Sequence, residues 1–459
     1  MRRFRGGGTS GGVLLVALGL GTGAPLAAQE PARLTLDDAI EIARFRNPEA
    51  RRATNELARN QPEKMNLLFT ELLPHADINL FSTGFNGNLQ RQTTDNFGNP
   101  LASPAAQWVY FSDTRQGLDL TWNIQGSSLF NAFNRQKNSV EARDRGVESA
   151  IWTVRADVQR EFFDAMEQQE LIAVEEALLE GRRVDHESAS RRFELAGASQ
   201  VDVLDAEVEV AQQEITIERQ RGEYEQALLT LRQTLGGAEV PGVEPEPLPL
   251  FDPAVLDEDE LVELARRMNP GVRTAEADVE GARIGVRESG EDWWPDLTLA
   301  YSISRTSRKT DTEAVFDFDP SKQELGQNFF IRLELPAFND LFGLREDQAS
   351  ARVELANQEV TLDQERVDAE AEVRSNLVAL RNEWRALQIA ERQAAIAERS
   401  AALAREEFRL GTRTFDELRT TVDQEADARR QALTNRYTFV DALLDLEESV
   451  GVPVRPGGR

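Results

Sequence analysis

The chain contains no cysteine and only two histidines, His75 and His186. Without cysteine there are no disulfides, no thiolate metal ligands and no N-terminal cysteine to carry lipid. Two histidines far apart in unlike contexts supply no zinc spacing and read as solvated side chains. No P-loop, Gly-x-Ser-x-Gly or metalloprotease motif is present. Asp/Glu pairs are so numerous that none stands out as general acid and base, so no enzyme and no cofactor is expected. After the first thirty residues no stretch approaches 18 consecutive apolar residues, which excludes a membrane-spanning helix. Any part that enters a membrane must then be a closed β-barrel, because only barrels and helices satisfy their backbone groups in lipid.

The chain is strongly acidic, with a formal net charge of −28. That charge excludes nucleic acid as a partner. The acids alternate with arginine along helical stretches, as on long solvated helices. Residues 1–28 read as a signal peptide. Arg2, Arg3 and Arg5 form a basic start, Val13 to Leu20 a short apolar run, and cleavage is expected after Ala28. Loss of three arginines from −28 leaves −31 on the mature chain. Gly19, Gly21 and Gly23 fall inside this leader and cradle no phosphate.

The remainder is one unit written twice. Leu36-Asp37-Asp38-Ala39-Ile40-Glu41-Ile42-Ala43-Arg44 runs to Asn47-Pro48, and Asp259-Glu260-Leu261-Val262-Glu263-Leu264-Ala265-Arg266 runs to Asn269-Pro270. Leu73-Pro74 and Trp294-Pro295 each precede an alternating run. The expected division is a first repeat at 29–240, an extended Pro-rich linker at 241–250, a second repeat at 251–452 and a tail at 453–459. Each repeat should hold a short helix ending at Asn-Pro, a second helix, two strands, a very long helix and a return helix.

Period-two alternation marks the strands: Ala76, Ile78, Leu80; Leu118, Leu120, Trp122, Ile124; Leu297, Leu299, Tyr301, Ile303; Phe329, Ile331, Leu333, Leu335. Leu118, Leu120, Leu297, Leu299, Ile331 and Leu333 are the expected lipid-facing set. Trp108, Tyr110, Phe111, Trp293, Trp294 and Phe329 are expected at strand ends, as an interface girdle. Loops are expected at 84–107 and 305–327. Four strands cannot close a barrel alone, so a membrane location requires several copies. Helix-breaking residues are almost absent from Leu129 to Ala196 and from Asn339 to Leu410, each long enough for about 100 Å of helix. Apolar residues there recur at three- and four-residue steps. A soluble periplasmic adaptor or stalk would share those helices, and this alternative stays open on the residues alone.

Two turn motifs complete the pattern: Phe193 to Leu204 around Gly197, and Phe408 to Leu418 around Gly411. With the repeats and the leader, they make the chain resemble the TolC family of outer membrane efflux proteins over nearly all its mature length. The resemblance implies a mostly α protein with a membrane β part: a homotrimer whose 12-stranded barrel in the outer membrane joins a periplasmic α-helical barrel. It implies partners too, a periplasmic adaptor and an inner-membrane pump of RND, ABC or MFS type. It further implies a periplasmic aperture at Asp202, Asp205, Arg413, Asp416 and Glu417, and adaptor docking at Gly197, Leu204, Gly411 and Leu418. Leu204 and Leu418 match the same family position. The first copy departs in having Ala196 before Gly197, and Arg419 stands where a second tip aspartate is usual.

Overall fold

The computed structural model describes residues 33–91, 93–94, 97, 99–100, 102, 106–125, 127–195, 199–309, 324–335 and 341–455. The expected leader, Gly197 and residues 456–459 lie outside these. The first repeat comprises α1 (Leu36–Arg46), α2 (Pro48–Glu56), α3 (Asn60–Leu67), β1 (His75–Arg91), β2 (Ala106–Gln125), α4 (Ser128–Glu194) and α5 (Gln200–Thr234). The second comprises α6 (Glu258–Met268), α7 (Pro270–Glu288), β3 (Asp296–Lys309), β4 (Glu324–Glu334), α8 (Leu341–Leu410) and α9 (Phe415–Val450). None of the described helices is long and apolar enough to cross a membrane.

Each repeat is clamped at its Asn-Pro elbow in the same way. Proline cannot donate, so it starts a helix where no donor is needed. The asparagine before it caps that helix: Asn47 Oδ1 accepts from Glu49 N at 2.7 Å, and Asn269 Oδ1 from Gly271 N at 2.8 Å. The same side chain also reaches the end of the return helix. Asn47 Nδ2 donates to the Thr234 carbonyl at 2.8 Å, and Asn269 Nδ2 to the Ser449 carbonyl at 2.9 Å. There the chain leaves the helix through Gly236 (φ 68°) and Gly451 (φ 82°). A Cβ on Gly236 would lie 2.3 Å from the Arg46 carbonyl oxygen, and one on Gly451 2.4 Å from that of Met268. Only glycine permits both the left-handed backbone and this approach.

The four strands form one antiparallel sheet in the order β1-β2-β3-β4. Its register sorts the side chains by face. Ile124, Leu297 and Leu333 form one row, Trp122, Leu299 and Ile331 the next, and Ala76, Leu120, Tyr301 and Phe329 a third. The opposite face carries Asp77, Asp119, Ser302 and Asn328, then Asn123, Thr298 and Arg332. All six residues of the expected apolar set share one face.

Three details differ from the sequence reading. First, β1 runs on past residue 84 to Arg91 and pairs with a β2 that starts at Ala106, so the ladder continues through polar and glycine-rich sequence. Backbone hydrogen bonds do not require alternation, and alternation marks only strand that separates two environments. Second, β1 carries a bulge between Asn79 and Ser82, so Leu80 sits at an irregularity rather than within a regular alternation. Third, Phe329 pairs with Tyr301 in the middle of β4, not at an end. Trp108 and Tyr110 stack on each other (centroids 6.2 Å), but Tyr110 lies fourteen residues from Ile124 along β2. At about 3.4 Å per residue that exceeds an apolar band about 25 Å tall, whereas Trp293 and Trp294 do border it.

The long helices form a layer in the lateral order α5-α4-α9-α8, set by the contacts α4 with α5, α4 with α9 and α8 with α9. The segment 241–250 contains no helix, as expected, but it is docked rather than free. Val243 is fully buried beside Leu34, and Glu246 accepts from Leu36 N at 2.9 Å. One core joins α1 to α4, α5 and α9, and another joins α6 to α8 and α9. Helix α9 is therefore common to both repeats.

The two edge helices carry a second apolar stripe that the chain itself leaves open. On α8 it runs Val353, Val360, Val367, Val378, Ile389, Ile396, Leu403, Leu410, and on α5 Val201, Val208, Ile215, Leu229. Steps of seven and eleven return to the same side of a helix of 3.6 residues per turn. The core of α8, at Val373, Leu377, Leu380 and Leu387, occupies its other side.

Candidate functional site

The two hairpin turns, α4 to α5 and α8 to α9, meet at one end of the helical layer. Ala189, Ala206, Ala404, Phe408, Phe415, Leu418 and Val422 form a small core there, with Val203 against it. Arg192 ties the turns together. Its Nη1 donates to the Phe408 carbonyl at 2.9 Å while its guanidinium stacks 4.4 Å from the Phe408 ring. The sequence reading passed over this residue, because its partner lies 216 positions away.

Both return helices begin with a capping box. Ser199 Oγ accepts from Asp202 N at 3.2 Å, and Asp202 Oδ2 accepts from Ser199 N at 2.9 Å. Thr414 Oγ1 accepts from Glu417 N at 3.4 Å, and Glu417 Oε2 accepts from Thr414 N at 3.1 Å. Hydrogen bonds from the Thr414 backbone and side chain hold the Glu417 carboxyl below the usual range. Each of these two candidate aperture acids thus commits one oxygen to its own helix.

The caps also fix how the repeats correspond. Ser199 matches Thr414, so Asp202 matches Glu417, Val203 matches Leu418 and Leu204 matches Arg419. The pairing of Leu204 with Leu418 is therefore corrected. Leu418 is 1% exposed and belongs to the tip core, whereas Leu204 is 52% exposed. One residue of offset turns a helical side chain by about 100°, enough to move it from core to surface. Leu418 therefore presents no side chain on the tip surface.

The remaining candidates lie on the tip surface. Arg413 pairs with Glu407 at 3.3 Å, within its own hairpin. Asp416 is exposed and lies 3.6 Å from Arg419. Asp205 is half-buried and has no hydrogen-bond or ion-pair partner among the described residues. Gly411 turns the chain at φ 82°.

Above the tip, buried charges join α4 to α9. Arg430 Nη2 donates to Glu175 Oε2 at 2.9 Å, and Arg182 bridges Asp423 at 2.6 Å and Glu209 at 2.7 Å. Burial alone would raise the Glu175 carboxyl, but hydrogen bonds from Arg430 and Gln213 bring it below the usual range. Arg405 reaches Glu425 at 3.1 Å and Asp185 at 3.4 Å. Losing the arginine beside Glu175 or Glu425, each 2% exposed, strands a carboxylate in a dry site.

Glu167 on α4 has no cationic partner among the described residues. It accepts from Thr434 Oγ1 at 2.9 Å, and burial, with Asp164, Asp441 and Glu170 nearby, pushes it up to about 7. A folded value above the unfolded 4.5 means the folded state holds the proton more tightly. Its contribution to stability is complete below pH 4.5 and lost as pH rises through 7. Glu167→Gln, which stays neutral and keeps the acceptor, should raise the melting temperature at pH 8 and leave it unchanged at pH 4. Equal shifts at both pH values would refute the assignment.

A sheet with one apolar and one polar face, joined to a layer of helices about 100 Å long, is the arrangement a membrane channel subunit requires. The family profile described as outer membrane efflux protein matches residues 82–237 and 261–452, one stretch in each repeat. The chain belongs to the outer membrane efflux protein family, and it is an outer-membrane channel protein. Among solved structures, the channel protein CusC superposes with TM-score 0.70 at 16% identity, covering 91% of this chain and 92% of that one. The Campylobacter jejuni CmeC outer membrane channel gives 0.68 at 15%, covering 91% and 85%. The open state of the Neisseria gonorrhoeae MtrE outer membrane channel gives 0.65 at 17%, covering 92% and 89%. A comparison with curated protein sequences finds no match.

Proposed function

We propose that three copies of this chain assemble into a continuous export duct, which acts as a passage and not as a catalyst. The observation that carries this reading is the open sheet. β1 and β4 are edges, and an open edge on a sheet with an apolar face cannot sit in lipid. Three four-stranded sheets give a 12-stranded barrel, with the rows of Leu120, Leu299 and Ile331 against lipid and Asp119, Asn123 and Ser302 lining water. The open stripes on α5 and α8 support the same number of joints in a helical barrel below it.

In this reading residues 1–28 are removed on export, 29–240 and 251–452 are the two repeats, 241–250 joins them and 453–459 is a tail. The hairpin tips face the periplasm and receive an adaptor, which links the duct to an inner-membrane pump of RND, ABC or MFS type. Exposed Leu204 and the turn at Gly411 suit docking. Asp205 and Asp416, repeated by threefold symmetry around the mouth, would concentrate cations, with Asp202 and Glu417 contributing beside their capping role. The pair Arg413–Glu407 stiffens the turn.

Native mass of the detergent-extracted outer-membrane protein tests the assembly: a trimer is expected, and a monomer refutes it. For the mouth, single-channel recording of Asp205→Asn and Asp416→Asn should show reduced preference for cations over anions. Arg413→Ala should raise conductance by loosening the turn. Wild-type selectivity and conductance in all three variants would remove these residues from the mouth.

A further inference from the structure

The duplication makes one joint visible inside the chain, the joint between repeat one and repeat two. In a closed ring the same kind of joint must recur between the second repeat of one copy and the first repeat of the next. The register of the visible joint can therefore be carried to the hidden one.

The repeats superimpose on fixed landmarks. In the return helices Ser199 corresponds to Thr414, Thr234 to Ser449 and Gly236 to Gly451, each 215 residues apart. The ends of the long helices, at Phe193 and Phe408, keep the same spacing. In the sheet, His75 corresponds to Asp296 after the matched prolines. The pairings of β1 with β2 and β3 with β4 then place Leu120 on Leu333 and Trp122 on Leu335.

Within the chain, α4 meets α9 through Glu175–Arg430 and Arg182–Asp423. Carried over, α8 meets α5 of the next copy with Ala390 at Ile215 and Ala397 at Val208. At those levels α8 presents exposed Ile389 and Ile396, and α5 presents exposed Ile215 and Val208. Where the inner joint is ionic, the outer one is apolar on both sides. Burial agrees with this: α9, which has neighbours on two sides, buries 19 of 36 residues, whereas α5 buries 6 of 35. In the sheet, β2 pairs with β3 so that Trp122 faces Leu299 and Leu120 faces Tyr301. The equivalent outer pair is Leu335 with Ile78, both exposed in the single chain.

We infer that copies of this chain join through an apolar seam in one fixed register: exposed Ile396, next to Ala397, packs at the level of Val208, and exposed Ile389, next to Ala390, at the level of Ile215 of the next copy, continued in the sheet by Leu335 against Ile78. The inference rests on the trimer proposed above and specifies how its copies meet. A ring whose subunits meet by apolar packing should keep its subunits together at high salt, because screening weakens exposed ionic contacts but not apolar ones.

The absence of cysteine makes a direct test clean. Two double variants place cysteines in register, Val208→Cys with Ile396→Cys and Ile78→Cys with Leu335→Cys. A third, Val208→Cys with Leu403→Cys, is displaced by one heptad, about 10 Å of helix. Native mass is measured on each variant before oxidation. A disulfide needs Cα atoms within about 7 Å. Both in-register pairs should run as covalent trimers in denaturing gels after oxidation, and the displaced pair as monomer. A native trimer in which the displaced pair links as well as the in-register pairs, or in which neither in-register pair links, overturns the seam and leaves the trimer standing. A monomeric native mass overturns the trimer and the seam with it. The strand pair and the helix pair report independently, so poor folding of one variant leaves the other decisive.

Discussion

Leu299→Arg is expected to abolish accumulation of the protein in the outer membrane. Leu299 stands between Trp122 and Ile331 in the second apolar row of the sheet. An arginine on the lipid face of a barrel costs about 2–4 kcal/mol near the midplane. Three copies contribute one such residue each, so the trimer bears the cost three times, comparable with the whole stability of an ordinary domain. The control is Ser302→Arg, on the opposite face between Asp119 and Asn328. There the new cation meets an acidic neighbour and water, and assembly should proceed normally. Quantifying both variants in the detergent-extracted outer-membrane fraction separates the faces. Normal assembly of Leu299→Arg, or equal loss of both variants, would show that this face does not meet lipid.

Gly451→Ala is expected to be strongly destabilising for a change of a single methyl group. An L-residue in the left-handed region costs about 1–2 kcal/mol. The added Cβ would also lie 2.4 Å from the Met268 carbonyl oxygen and 3.2 Å from Asn269 Cα, both backbone atoms that no rotamer change can move. Overpacking of this kind adds about 1–3 kcal/mol. Relief requires shifting the α6–α7 elbow, which breaks the bond from Asn269 Nδ2 to the Ser449 carbonyl. Gly236→Ala should behave alike, because the first repeat uses the same contact against Arg46. Gly285→Ala, inside α7 with nothing within 4 Å of the new Cβ, should instead stabilise by about 0.5–1 kcal/mol. Thermal unfolding of the three variants in detergent distinguishes the clamp from a general intolerance of alanine. Wild-type stability of Gly451→Ala would refute the clamp.

The two elbows also show where reading the sequence stopped. Asn47-Pro48 and Asn269-Pro270 are visible as matched helix boundaries, since proline acts on its own neighbours. Their glycine counterparts lie about 190 residues further on, and nothing local marks Gly236 or Gly451 as touching an earlier elbow. The tip repeats this contrast. Ser199 with Asp202 and Thr414 with Glu417 are capping boxes readable from spacing, and recognising them would have aligned Val203 with Leu418 from the start. The tether from Arg192 to Phe408 and the pair Glu175–Arg430 could not have been found that way, because each joins segments more than 200 residues apart.

The sequence by itself determined the duplication, the four strands with their apolar face, the two long helical hairpins and the family, because period, turn chemistry and repetition are properties of neighbours along the chain. Tertiary structure alone decided that β1 and β2 extend beyond their alternating segments, that Leu418 is core while Leu204 is surface, and that segment 241–250 is docked. It also decided that α9 is a shared interior helix while α5 and α8 are open edges. Those outcomes depend on which surfaces meet across hundreds of residues, and burial is settled by that meeting rather than by the residue's own character.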